Sequence, residues 1–210
     1  MRQILFLEDR PERQKIFLPK KEKDVDELSK NIEELIMPIS DECKDIISNI
    51  NEKQYKIENN IRLVIIHKTS LSTEGLYYIY SICENNKIDL ILFSGGIDQL
   101  IYNNEKNNVL ELNSSDFYTD RLIPFIKKYI QNNNTNLLEL VNSNWQISYW
   151  FLLRQLKHTL EAEQENKEVD DDRINHLKDK INHTVKVLEI NGNYNEINID
   201  EEIKKILIKS

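Results

Sequence analysis

The sequence predicts an α/β fold: a mainly parallel sheet of about four to five strands with flanking helices, followed by a C-terminal αα-hairpin. Two observations carry this. Over residues 1–134, short apolar runs rich in β-branched residues alternate with segments of helical periodicity. Strands buried on both faces of a parallel sheet read this way, and alternation with helices implies crossover units. Beyond the Asn-rich stretch at 131–136 the runs stop and helical periodicity remains. Residues 135–210 are therefore read as a separate helical extension.

The elements follow in order. Ile4-Leu5-Phe6-Leu7 is a buried strand that empties into Glu8 and Asp9. Arg10 to Phe17 suits a short helix, and Pro19 with Lys20-Lys21-Glu22-Lys23 marks a solvated break. Val25, Leu28, Ile32, Leu35 and Ile36 recur at helical spacing as far as Pro38. Ser40 or Asp41 then caps a helix carrying Cys43, Ile46, Ile47 and Ile50. Leu63-Val64-Ile65-Ile66-His67 is a second buried strand, followed by a helix opened at Ser72-Thr73-Glu74 that bears Leu76, Tyr77, Ile79, Tyr80 and Ile82. Asp89 to Phe93 is a third strand, running into Ser94-Gly95-Gly96. Val109 to Leu112 is a fourth, and Asn113 to Asp116 caps a helix with Leu122, Ile123, Phe125, Ile126 and Tyr129.

In the extension, a helix is expected from about Trp145 to Asn166 and a second along the seam Ile174, Leu177, Ile181, Val185 and Leu188. The acidic run Glu168 to Asp172 suits the turn between them. Gly192 to Ser210 reads equally as a short helix or a strand.

Composition narrows the function classes. The net charge of −8 divides equally between residues 1–134 and 135–210, so neither part is the basic footprint that phosphate backbones select. No run approaches the apolar length of a bilayer span, and acids follow the first apolar run where a secretory peptide would continue. Cys43 and Cys83 lack neighbours at metal-ligand spacing and read as free thiols of a reducing cytoplasm.

Candidate sites lie at the carboxyl ends of the strands, where open α/β sheets bind ligands. Glu8 and Asp9 offer hard oxygens for a divalent cation, or one caps the next helix and the other is solvated. His67 either pairs with Glu8 or Asp9 at the neighbouring strand end or is a hydrogen-bonded core histidine. Gly95, Gly96 and Ser114 either present N–H groups to an anion or belong to tight turns and a cap. His158, His176 and His183 lack a completing ligand set and read as a solvated face. Trp145, Tyr149, Trp150 and Phe151 divide between core and a partner surface, because one helix face cannot bury so many large rings.

Ile4 to Asp9, Leu63 to His67, Leu90 to Ser94 and Leu110 to Asn113 together resemble the strands of the response-regulator receiver (CheY-like) domain, over roughly residues 1–130. The resemblance implies a receiver/flavodoxin-like sheet with Mg²⁺ on an acidic pair. It also implies a phosphoacceptor Asp after the third strand, a hydroxyl after the fourth and a Lys after the fifth. Glu8 and Asp9 match the pair and Ser94 the hydroxyl. His67 stands where the phosphoacceptor would be, and Asn113 stands near the position of the Lys. No clear second strand precedes Arg62, so that strand is either irregular, around Tyr55 to Ile57, or missing from a smaller sheet. The implied pocket, Glu8, Asp9, His67, Ser94 and Asn113, is that of a pseudo-receiver, with no catalytic residue and with Mg²⁺ as the only candidate cofactor.

The expected function is therefore a non-enzymatic regulatory or scaffold protein of a bacterial signalling, stress or defence complex. It would bind a protein partner or itself through the helical extension. The alternative is a sensor or enzyme that holds a metal and a phosphate-bearing small molecule in the strand-end pocket. Net charge argues against a third reading, a nucleic-acid-associated regulator.

Overall fold

The computed structural model describes residues 3–10, 32–38, 40–132, 134–165 and 171–209. The chain divides into two compact units, Met1–Val141 and Asn142–Ser210. The expected helix from Arg10, the break at Pro19 and the residues Val25 and Leu28 lie wholly or mostly outside the described residues.

The first unit is α/β. Its six-stranded sheet contains β1 (Gln3–Leu7), β2 (Leu35–Ile36), β3 (Ile61–His67), β4 (Asp89–Ser94), β5 (Ile101–Asn103) and β6 (Val109–Asn113) in the order β2-β1-β3-β4-β6-β5. All pairings are parallel except β5 with β6. Among the described residues its α-helices are α1 (Ser40–Asn51), α2 (Thr73–Asn86), α3 (Ser114–Phe117) and α4 (Leu122–Gln131). The four apolar runs seen in the sequence became β1, β3, β4 and β6, and their side chains are almost continuously buried.

Two strands correct the expectation. Leu35 and Ile36, read as the end of a helix, pair in parallel with Ile4 and Leu5. The second strand is thus here, rather than at Tyr55 to Ile57. Two residues are too few to impose a period of their own, and Ile32, Leu35 and Ile36 also satisfy helical spacing. The three-residue β5 folds back on β6, with Tyr102 opposite Leu110, and brings the sheet to six strands.

One face of the sheet packs Leu5, Leu7, Val64, Ile66, Leu90 and Leu92 with Cys43, Ile47 and Ile50 of α1 and Ile79 and Cys83 of α2. Gly75 is required where the two helices approach, because a Cβ there would lie 2.1 Å from Asn51 Oδ1 and 3.0 Å from Asn51 Cα. The same Asn51 accepts from the Ser72 N–H at 2.8 Å, while Ser72 caps α2 by accepting from Gly75 N at 3.0 Å. An aromatic cluster also forms, in which Phe93 stacks on Phe117 at 4.1 Å and Phe6 meets both edge-on. Such pairs add about 0.5–1.5 kcal/mol each beyond area burial. Tyr129 of α4 donates to Asp89 Oδ2 at 2.7 Å and to the Arg62 carbonyl at 3.0 Å.

The second unit holds α5 (Trp145–Glu165), α6 (Asp171–Val187) and α7 (Ile199–Lys209). Trp150, Leu153 and Leu156 of α5 pack with Leu177 and Ile181 of α6 and Ile199 and Ile203 of α7. The ion pair Arg154–Asp200, at 2.7 Å, links α5 to α7. Residues 166–170, most of the expected turn, lie outside the described residues, so the described part is α5 against α6 with α7 added. Among the described residues no helix is long and apolar enough to cross a membrane.

Candidate functional site at the strand ends

Parallel pairing brings the carboxyl ends of β1, β3, β4 and β6 to one edge of the sheet. Leu7 pairs with Ile66, His67 with Phe93, and Ser94 with Asn113. Glu8 and Asp9, just past β1, therefore reach His67, the last residue of β3.

His67 is fully buried, and its Nδ1 lies 2.9 Å from Asp9 Oδ1 and 4.0 Å from Glu8 Oε1. Its ring sits 5.4 Å from that of Phe93. Glu8 is buried too; its Oε1 accepts from Arg10 N at 2.9 Å and its Oε2 from the Tyr118 hydroxyl at 2.5 Å. Burial pushes the Glu8 carboxyl above its ordinary range, against the lowering effect of the Tyr118 and Arg10 hydrogen bonds. Asp9 is more exposed and has the Arg10 guanidinium 3.6 Å away.

Thr69 Oγ1 lies 3.1 Å from His67 Nε2 and 3.5 Å from its Nδ1. An oxygen on the in-plane lone pair of one ring nitrogen would be much farther from the other. Thr69 therefore sits beside the ring rather than on its Nε2 axis, and Asp9, His67 and Thr69 do not make the relay of an activated hydroxyl nucleophile. Cys43 of α1 is held inert: burial, reinforced by the Asp9 and Glu8 charges, pushes its thiol up to about 12.

The neighbouring strand ends are occupied by turn chemistry. Ser94 is buried, and its hydroxyl accepts from Gly96 N at 3.3 Å. Asn113 donates to the carbonyls of Gly95 and Ile97 at 3.3 and 3.0 Å, and its Oδ1 accepts from Ser115 N at 2.9 Å. Asn113 thus caps the four-residue α3, with Ser114 buried behind it, and not the helix bearing Leu122 to Tyr129 that the sequence suggested; that helix is α4, which follows Arg121. Of the expected anion-binding residues Gly95, Gly96 and Ser114, Gly96 has its N–H engaged within the loop, by the Ser94 hydroxyl.

The donor set does not fit the Mg²⁺ of the receiver resemblance. Mg²⁺ demands near-octahedral oxygens and keeps several waters. Here an imidazole nitrogen, His67 Nδ1, stands among the candidate ligand atoms where the resemblance implies a carboxylate oxygen.

Sequence reasoning missed Tyr118, Thr69 and the contact of Cys43 with the acidic pair. It also missed a polar trio on the sheet: the Lys68 ammonium and the Tyr80 hydroxyl both donate to the buried carboxylate of Glu111. A single acid inside the run Val109-Leu110-Glu111-Leu112 was the available signal.

In the second unit the four aromatics separate. Trp145 and Trp150 are buried, Tyr149 lies edge-on to Trp145 at 5.9 Å, and Phe151 is 48% exposed beside Leu152 at 40%.

Comparison of the chain with protein-family models, curated proteins and solved structures finds no match.

Proposed function

We propose that this chain is a non-enzymatic regulatory or scaffold protein on a receiver-like framework, and that it binds a protein partner or a second copy of itself through its helical unit. The observation that carries the reading is the pairing of His67 with Asp9 at 2.9 Å, with His67 fully buried. At the position where the resemblance implies a phosphoacceptor carboxylate, the chain has a ring that is closed in and already bonded. The five parallel strands, in the order β2-β1-β3-β4-β6, support a flavodoxin-like wind.

The helical unit supplies the binding surface. Phe151 and Leu152 are exposed, and Leu152 lines a groove of about 420 Å³ together with Leu156, His176, Asp179, Lys180, His183 and Thr184. Arg154 lies over the Phe151 ring at 4.9 Å, and exposed aromatic and Arg pairs are favoured interface anchors.

The test compares the wild type with Phe151→Asp by light scattering and by affinity capture from host extract. The reading predicts a stoichiometric partner or self-association that Phe151→Asp abolishes while circular dichroism stays unchanged. A wild type that is monomeric and captures nothing, or a complex indifferent to Phe151→Asp, overturns it.

A further inference from the structure

We propose that Glu8, Asp9 and His67 form a site for a divalent transition-metal ion of the Zn²⁺ class, which clasps the carboxyl ends of β1 and β3. This differs from the cation implied by the resemblance in its third ligand and in the ion it selects. It depends on three side chains of the first unit, whereas the partner surface is a property of the second.

The geometry is close to that of a bound ion. Ligand atoms about 2.1 Å from one ion are separated by roughly 3–4 Å, depending on the angle at the metal. His67 Nδ1 stands 2.9 Å from Asp9 Oδ1 and 4.0 Å from Glu8 Oε1, and one ligand atom from each residue lies within 4.8 Å of the others. Glu8 Oε1 would share or give up its hydrogen bond from Arg10 N to join them. The ion would take the place of the hydrogen now shared by His67 and Asp9, with the imidazole proton moving to Nε2.

Charge points the same way. Glu8 is a buried carboxylate whose hydrogen bonds come from two neutral donors, the Tyr118 hydroxyl and the Arg10 N–H. Among the described residues no Lys or Arg forms an ion pair with it, and its cationic partner there is the His67 imidazole, 4.0 Å away. Buried carboxylates are expensive without a counter-charge, and a divalent ion between Glu8 and Asp9 would balance both. The Arg10 side chain beside Asp9 is half exposed.

Donor chemistry selects the ion. One imidazole and two carboxylates suit Zn²⁺, Co²⁺ or Mn²⁺, whereas Mg²⁺ favours all-oxygen shells. Three protein ligands leave a coordination position for water or a small ligand. Phe93 and Tyr118 give the site a dry wall, and Tyr118 orients Glu8 from outside the shell.

The test uses the full chain freed of metal by a chelator and titrated with Zn²⁺, Co²⁺ or Mg²⁺. The expected result is one equivalent of Co²⁺ giving visible bands of a four- or five-coordinate site. Zn²⁺ should raise the melting temperature by roughly 5 °C or more at a hundredfold excess over its dissociation constant, and Mg²⁺ should bind at least tenfold more weakly. Asp9→Asn, a partly exposed position, should remove the bands while the fold is retained, and His67→Gln should do the same. Bands that survive Asp9→Asn would place the ion elsewhere, for instance on the helical histidines, and overturn the proposal. So would Mg²⁺ binding as tightly as Zn²⁺, or no binding at all.

Discussion

His67 and Asp9 are 58 positions apart in the chain, yet the imidazole Nδ1 lies 2.9 Å from the carboxylate Oδ1. The pair ties β3 to the end of β1 at the edge where doubly wound sheets place their ligands. His67→Ala would remove this tie and leave a cavity beside Phe93. It should destabilise the metal-free protein by about 2–4 kcal/mol in urea titration. Asp9→Asn, which keeps the shape, should cost about 1 kcal/mol. A loss below about 0.5 kcal/mol for His67→Ala would mean that the pair does not brace the strands.

Glu8 makes stability depend on pH with a definite sign. Its carboxyl is raised by burial in the folded state, so the folded protein holds that proton more tightly than the unfolded chain. The stabilisation is complete below the unfolded carboxylate range and is lost as pH rises through the raised folded value. Measured in chelator, Glu8→Gln should therefore gain stability relative to wild type as pH rises above the unfolded carboxylate range. Tyr118→Phe removes a hydrogen bond to the carboxylate and should move the Glu8 titration further upward.

Both cysteines should resist alkylation. Burial pushes the thiols of Cys43 and Cys83 up to about 12. At pH 8 the thiolate fraction is then on the order of one in ten thousand. Iodoacetamide should leave the native protein unmodified over hours and label both thiols once denaturant is added. Rapid native labelling of either would contradict this packing.

Gly75 and Gly95 should respond oppositely to alanine. A Cβ at Gly75 meets Asn51 at 2.1 Å, whereas at Gly95 nothing lies within 4 Å. Gly75→Ala should cost about 1–3 kcal/mol, and Gly95→Ala should stay within about 0.5 kcal/mol. Thermal unfolding of the two variants decides the matter.

The legible part of the fold is the part built from long runs. β1, β3, β4 and β6 are each apolar over most of their length because both faces are covered, and this also marked Glu8, Asp9 and His67 as strand-end residues. β2 was hidden because Leu35 and Ile36 fit a helical pattern with Ile32. β5 was hidden because Ile101 and Asn103 are exposed around a single buried Tyr102. Asn113 was readable as a cap because its chemistry is local. Tyr118 was not, since its contact with Glu8 spans 110 positions and depends on how α3 and the residues after it meet the sheet. The separation of Trp150 from Phe151 likewise follows from which face of α5 meets α6 and α7, which a run of adjacent aromatics does not disclose.

A strand-end pocket that has left phosphoryl chemistry would take no phosphoryl group from a reactive donor. The measurement is the intact mass of the full chain after incubation with a small acyl-phosphate donor and Mg²⁺, with peptide mapping over Glu8, Asp9 and His67. An unchanged mass is predicted, because His67 is buried and bonded to Asp9. A stoichiometric phosphoryl adduct on any of the three would contradict it.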